Sequence, residues 1–315
     1  MKKTRILTKL KARYIILFIL FIYMLLQIVP YGKKDNVSPF LIKDGDLPLV
    51  IAHGGSKHIM PENTVMAFEY AYNLGVDALE MDLRLTSDEV LITYHNELLE
   101  DFSNLKGKPN QYTYDEIIKY NFAINFKDLQ GNSPYANLTQ DELESFDKAL
   151  APANLEDLFI KYGSSILYTC EIKDDGDVGN IAAKKLAELI KKYGLEKHVI
   201  VASFHKEPLK TFKELSPNTL TSYDTSSATE FIIYNYAGIG LFLANKNDGL
   251  QIPTKEYGIP LDTSYLLYKA HKNNLFVHYW TVNDADEMRK LIEKGADGII
   301  TDRPDILLDV LEEYK

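Results

Sequence analysis

Val76-Asp77-Ala78-Leu79-Glu80-Met81-Asp82-Leu83, then the turn Thr86-Ser87-Asp88-Glu89, then Val90-Leu91-Ile92-Thr93-Tyr94-His95 read as two strands joined too tightly for a helix between them. Side chains alternate faces along a strand, so Glu80 and Asp82 point the same way, about 7 Å apart. Two carboxylates on one buried face repel and shift each other's pKa strongly unless a cation sits between them. The strand before this pair, Leu49 to His53, ends in a histidine, as does Val90 to His95. A third carboxylate stands in a similar setting at Glu171, in Leu167-Tyr168-Thr169-Cys170-Glu171-Ile172-Lys173, with Lys173 two residues on. Three carboxylates, two histidines and a lysine at strand ends describe a divalent-metal site with acid and base beside it.

Outward from this stretch the pattern is strand, turn, helix. Asn63 or Thr64 caps a helix that runs to about Leu74 before Gly75. Leu155 to Tyr162 reads as helix and Ile166 to Ile172 as strand. Ala182 to Tyr193 carries apolar residues on one face and lysines on the other, an amphipathic helix closed by Gly194. Strands follow at Val199 to Phe204, Leu220 to Tyr223, Leu275 to Thr281 and Gly298 to Thr301, and Gly249 to Ile252 has the makings of a short one. Asp284 and Glu287 form a capping pair for a helix stopped by Gly295. Residues 225–261 are otherwise hard to read. Residues 96–150 are polar, break the alternation, and read as an insertion over one end of the core, where substrate-selecting segments sit. Repeated βα units with polar residues at the C-terminal ends of strands predict a parallel sheet closed into a TIM-type (β/α)8 barrel over residues 48–315, with the insertion after the third strand. The glycine fingerprint of a dinucleotide-binding sheet is absent.

The N-terminus differs from the rest. Residues 1–13 hold six basic side chains and no acid, residues 14–30 carry no charge, and residues 31–47 read as a short tether. Basic residues before an apolar run predict a cytoplasmic N-terminus, a transmembrane anchor over 14–30, and the catalytic domain on the outer side of the cell membrane. A cleaved signal peptide shares the charge order, but Gln27-Ile28-Val29-Pro30-Tyr31 offers no small-residue cleavage site. Without those six basic residues the net charge of −10 becomes −16, which argues against nucleic acid as a partner. Composition is that of a globular chain, 46% hydrophobic and 25% charged, and the lone cysteine, Cys170, has no intramolecular disulfide partner.

Taken in order, the blocks Ala52-His53-Gly54-Gly55, Pro61-Glu62-Asn63-Thr64, Glu80-Met81-Asp82, His95, Glu171-Ile172-Lys173, Ser203-Phe204, Trp280-Thr281-Val282-Asn283 and Thr301-Asp302-Arg303-Pro304 resemble the glycerophosphodiester phosphodiesterase family. The resemblance implies that His53 and His95 are the acid–base pair, that Glu80, Asp82 and Glu171 hold a divalent cation, and that Lys173 contacts the phosphate. It also matches the insertion after His95. There are two departures: Gly54 stands where the family usually has Arg, and Asn96 where it usually has Asp. The missing guanidinium removes a bidentate phosphate contact. Arg84, next in the alternation after Glu80 and Asp82, and Lys57 are the candidates to replace it.

Carboxylate ligands imply a hard cation, Mg²⁺ or Ca²⁺ rather than Zn²⁺. A metal and Lys173 would hold phosphoryl oxygens while one histidine takes a proton and the other gives one to the leaving alcohol. Trp280 is either a core residue or a platform for the substrate. His58, His198, His205, His271 and His278 carry no pattern and read as structural or exposed. A lone strand-end histidine is ordinarily structural, and Glu80 with Asp82 can equally be a salt-bridged pair. Five such residues converging on one face of a barrel point to function instead. The competing function is a catalytically weakened barrel that binds phospholipid head groups; both histidines and all three carboxylates argue against it. The expected substrate is a glycerophosphodiester, a lysophospholipid or a glycerol-phosphate polymer.

Overall fold

A computed structural model describes residues 2–28, 38–43, 45–243 and 247–315. The chain begins with helix α1 (Lys2–Ile28). It continues with β1 (Leu49–Ala52), α2 (Val65–Leu74), β2 (Ala78–Leu85) and β3 (Leu91–Thr93), then α3 (Tyr114–Ile117), α4 (Gln140–Ser145), α5 (Leu155–Tyr162), β4 (Leu167–Ile172) and α6 (Gly176–Tyr193). The second half runs β5 (Val199–Ala202), α7 (Lys206–Leu215), β6 (Leu220–Thr221), α8 (Thr225–Tyr236), β7 (Gly249–Pro253), β8 (Lys255–Glu256), β9 (Ile259–Pro260), α9 (Ser264–His271), β10 (Phe276–Trp280), α10 (Ala285–Lys294), β11 (Gly298–Thr301) and α11 (Pro304–Glu312).

Eight strands form one parallel path in the order β6-β5-β4-β2-β1-β11-β10-β7, and a parallel bridge between Ser222 and Gly249 joins its two ends. The ring is the expected barrel. β3 is not one of its staves: it pairs antiparallel with β2, Leu83 opposite Thr93. Alternation along the staves sorts the core into two parts. Leu79, Met81 and Leu83 of β2 pack outward against the helices with Phe68, Phe159 and Leu186, while Ile51, Ala78 and Ile300 point into the barrel.

Local chemistry sets the element ends. Thr64, not Asn63, caps α2, its hydroxyl accepting from the Ala67 amide at 3.2 Å. Asp284 caps α10 by accepting from the Glu287 amide, and Gly194 and Gly295 end their helices in the left-handed region. The insertion holds α3 and α4 and has a small core of its own, where Leu99, Leu105, Ile117 and Phe122 pack on Ile92 and Tyr94. The 225–261 stretch resolves into α8, capped by Asp224, followed by β7 and the β8–β9 hairpin. Within the stretch expected as a tether, Phe40 is fully buried and packs with Ile200, Leu220 and Phe276 at the N-terminal ends of the staves. Residues 31–37 and 44 of that stretch lie outside the described residues.

The apolar run expected as an anchor forms part of α1, and its side chains from Tyr14 to Leu25 are exposed. The uncharged part of the helix, Tyr14 to Ile28, is about 22 Å long against a hydrocarbon core of about 30 Å. Among the described residues no helix is long and apolar enough to cross a membrane. The transmembrane reading of 14–30 is thus corrected to an exposed apolar helix; Val29 and Pro30 lie outside the described residues.

The turn after β1 rests on Gly55. Its φ is +74°, and a Cβ there would sit 2.8 Å from the backbone of Ala67 and Phe68. Gly55→Ala therefore combines left-handed strain with a clash that α2 cannot relieve, and is expected to cost on the order of 2–3 kcal/mol of stability in urea unfolding. An unchanged midpoint would contradict the close packing of this turn on α2.

Candidate active site

The C-terminal ends of the staves collect the polar side chains. β2 and β4 are neighbours in register, Asp82 opposite Glu171, and the two-residue spacing turns Glu80 to the same side. One carboxylate oxygen from each of Glu80, Asp82 and Glu171 lies within 4.8 Å of the other two. Lys173, just past β4, puts its Nζ 3.0 Å from Asp82 Oδ1 and 2.9 Å from Glu171 Oε1. Both oxygens are buried, and neither contact has hydrogen-bond geometry.

His53 opens the turn after β1. Its Nδ1 is 2.6 Å from Asp302 Oδ1, which orients the ring and leaves Nε2 toward the carboxylates, 3.9 Å from Glu80 Oε2. Asp302 is itself fixed: Asn283 donates to its Oδ2 at 2.7 Å and accepts from its backbone amide at 2.9 Å. The Gly54 amide donates to Glu80 Oε2. Asn63, in the left-handed region at φ +57°, donates from Nδ2 to Asp82 Oδ2 at 2.8 Å. His95 follows β3, and Asn96 Oδ1 lies 2.7 Å from its Nδ1. Asn96 in turn donates to Asp101, so Asn in place of Asp keeps the ring oriented.

These contacts pull the site's acidities in opposite directions. Burial, then the charge of Asp82, push the Glu80 carboxyl up to about 8. Burial also raises Glu171, with Lys173 opposing it. Asp82 is equally buried, but Lys173, His95 and His53 outweigh that and hold it below the usual range. Burial would lower His53, yet Glu80 and Asp302 win and carry it to about 9. Three buried carboxylates share one lysine and the His53 ring, and two of their oxygens lack a hydrogen bond. That arrangement fits a hard divalent cation bound by Glu80, Asp82 and Glu171.

Other expected residues fall differently. Arg84 has partners of its own. Its Nη1 donates to Asp174 at 2.7 Å and its Nη2 to the His95 carbonyl at 3.0 Å, so it braces the His95 loop; the acid that claims it follows β4, 90 residues along the chain. Lys57 pairs with Glu62 at 2.7 Å. Trp280 is half-buried and meets Phe204 edge-on at 6.1 Å between centroids, with Lys173 Nζ 5.5 Å from the Phe204 ring centroid. His58 is closer to the site than expected, 3.4 Å from Asp302 Oδ2. In the sequence Asp302 and Asn283 stand only within larger blocks. Their signal is position: Asp302 directly follows β11, and Asn283 lies in the loop after β10 at the same barrel end.

Residues 53–306 match the model of the glycerophosphoryl diester phosphodiesterase family. A glycerophosphodiester phosphodiesterase of Caldanaerobacter subterraneus is 27% identical over 84% of this chain and 98% of its own. One from Bacillus subtilis is 26% identical over the full length of both chains. Among solved structures, the glycerophosphoryl diester phosphodiesterase domain of a Mycobacterium tuberculosis protein is similar at a TM-score of 0.68, 15% identity and coverage of 85% of this chain and all of that one. A phosphodiesterase of Oleispira antarctica in complex with the product sn-glycerol-3-phosphate is similar at 0.64, 19% identity and coverage of 84% and 97%. The chain belongs to the glycerophosphoryl diester phosphodiesterase family, and with it to the phosphoric diester hydrolases.

His53 and Glu80 both hold a proton more tightly folded than unfolded. Each contributes stability that is fully present below its ordinary value, 6.5 for His53 and 4.5 for Glu80, and lost as pH rises through about 9 and about 8. The metal-free protein is therefore expected to lose stability to urea steadily between about pH 5 and pH 9, and Glu80→Gln to flatten that slope. A metal-free urea midpoint level across this range would contradict the charge balance of the site.

Proposed function

We propose that the protein hydrolyses glycerophosphodiesters to an alcohol and glycerol phosphate, with Glu80, Asp82 and Glu171 holding Mg²⁺ or Ca²⁺ and with His53 and His95 as acid and base. The observation that carries this reading is the meeting of three carboxylates from β2 and β4 within 4.8 Å, beside the Nε2 of a histidine oriented by Asp302. A bound divalent cation supplies positive charge for a phosphoryl oxygen as negative charge develops there. Lys173, held over the same carboxylates, is placed to take a second oxygen. One histidine removes the proton of the attacking water or neighbouring glycerol hydroxyl, and the other protonates the departing alcohol. Asp302 and Asn96 keep each ring's Nδ1 engaged, so each Nε2 is the nitrogen left for proton transfer.

Location is part of the proposal. Six basic residues precede the apolar stretch of α1, the charge order of an exported chain. The exposed side chains from Tyr14 to Leu25 offer a surface that hydrocarbon would cover. On this reading the barrel works at the outer face of the cell membrane, within reach of lipid-derived or envelope glycerol-phosphate diesters.

Glu80→Gln is expected to lose both activity and metal affinity while staying folded; full activity in excess chelator would end the metal assignment. His53→Ala and His95→Ala should each lower kcat by about 10²–10⁴, measured at saturating metal and substrate. A loss of only a few-fold in either would make that residue structural. Protease added to intact cells is expected to digest the barrel, and a barrel shielded until lysis would overturn the location.

A further inference from the structure

Two hollows open at the polar end of the barrel, and they differ in chemistry. The first, of about 340 Å³, lies between the loop after β1 and the insertion, with Lys57 and Glu62 on one side and Phe102, Phe122, Phe126 and Leu129 on the other. Its walls are tied to the segments that carry both histidines, and His58 on its rim lies 3.4 Å from the Asp302 that orients His53. The Lys57 amide donates to the His53 carbonyl at 3.2 Å, and Glu62 directly precedes the Asn63 that holds Asp82. On the far wall Phe102 and Phe122 each meet the Tyr94 ring edge-on at 5.8 Å, and Tyr94 directly precedes His95. The second hollow, of about 440 Å³, opens beside Lys173 and is lined by Arg84, Asn110, Asp174, Asp175 and His205.

The first hollow offers little to an ion. Lys57 is neutralised by Glu62 at 2.7 Å, and Lys127 has Asp128 next to it on the same rim. Beyond these, His58, Pro61 and Asn125, the wall is three phenylalanine rings and a leucine, Leu129, that is 53% exposed. The second hollow is the opposite: amide, imidazole, carboxylate and guanidinium groups suited to hydroxyls. A phosphodiester seated on the carboxylates and Lys173 would extend one arm into each.

Building on the phosphodiesterase reading, we infer that the first hollow is a specificity subsite for an apolar alcohol arm of the diester, while the glycerol arm takes the polar hollow beside Lys173. The favoured substrate class is then a glycerophosphodiester whose second alcohol is hydrocarbon rather than an ammonium head group or another polyol. The insertion sets that preference, since all four apolar walls come from it.

A homologous series tests this. The full-length protein with saturating divalent cation is assayed on glycerophosphodiesters whose second alcohol is methanol, propanol or pentanol, beside the ethanolamine and glycerol diesters. Burial of a methylene in an apolar pocket is expected to raise kcat/KM about two- to fourfold per carbon, putting the pentanol ester well above the ethanolamine ester. Phe102→Ala and Phe126→Ala are expected to flatten the series. The slope is read within each variant, so a loss of folded protein cancels. A flat or falling series in an active wild type, or a slope that survives both substitutions, would overturn the subsite and leave the phosphodiesterase reading standing. No hydrolysis of any member would sink that reading itself.

Discussion

The polar end of this barrel is organised around three converging carboxylates that repel one another and are largely out of water. Glu80 and Asp82 are almost completely buried, and Asp82 and Glu171 are opposed across adjacent parallel strands. Their mutual repulsion and desolvation are met by one lysine, two histidines, the Asn63 amide and a backbone N–H, and the Glu80 and Glu171 carboxyls are still held above their ordinary range. Three converging buried carboxylates, two of whose oxygens lack a hydrogen bond, are what a metal-binding site needs before its metal arrives.

The surrounding fold serves that cluster. Parallel pairing of β2 with β4 brings Glu171 to the first two acids, and the tight turn after β1 swings His53 over them. That turn requires glycine because α2 passes against its backbone. Asp302, after the neighbouring stave β11, fixes the imidazole, and Asn283, in the loop after β10, fixes Asp302. The groups of the site thus come from staves distant in sequence but adjacent in the barrel, at the C-terminal face where such folds carry their sites.

Much of this was legible in one dimension, and the limits were physical. Period two along β2 correctly put Glu80 and Asp82 on one face, but it carries no sign of the partner that holds Arg84. The side chain does continue the alternation, but Asp174 at the end of the next stave captures it. Such a partnership 90 residues away leaves no periodic trace. His53 was visible, whereas the role of Asp302 was not, because the pair is 249 residues apart and only ring closure unites them. Capping chemistry read well where it is local, at Thr64, Asp284 and Gly194. α8 was missed because it presents only Phe231 and Asn235 as buried positions, too few to make an amphipathic stripe. The apolar run of α1 is plain from its lack of charge, yet its described uncharged part is shorter than a bilayer's hydrocarbon core.

Crystals of the protein soaked in Mn²⁺, a scatterer that can stand in for Mg²⁺ or Ca²⁺, give the most direct test of the carboxylate cluster as a metal site. The anomalous map should show one peak within about 2.6 Å of oxygens from Glu80, Asp82 and Glu171. A map with no peak there, with the three carboxylates closed on Lys173 at high Mn²⁺ concentration, would contradict it.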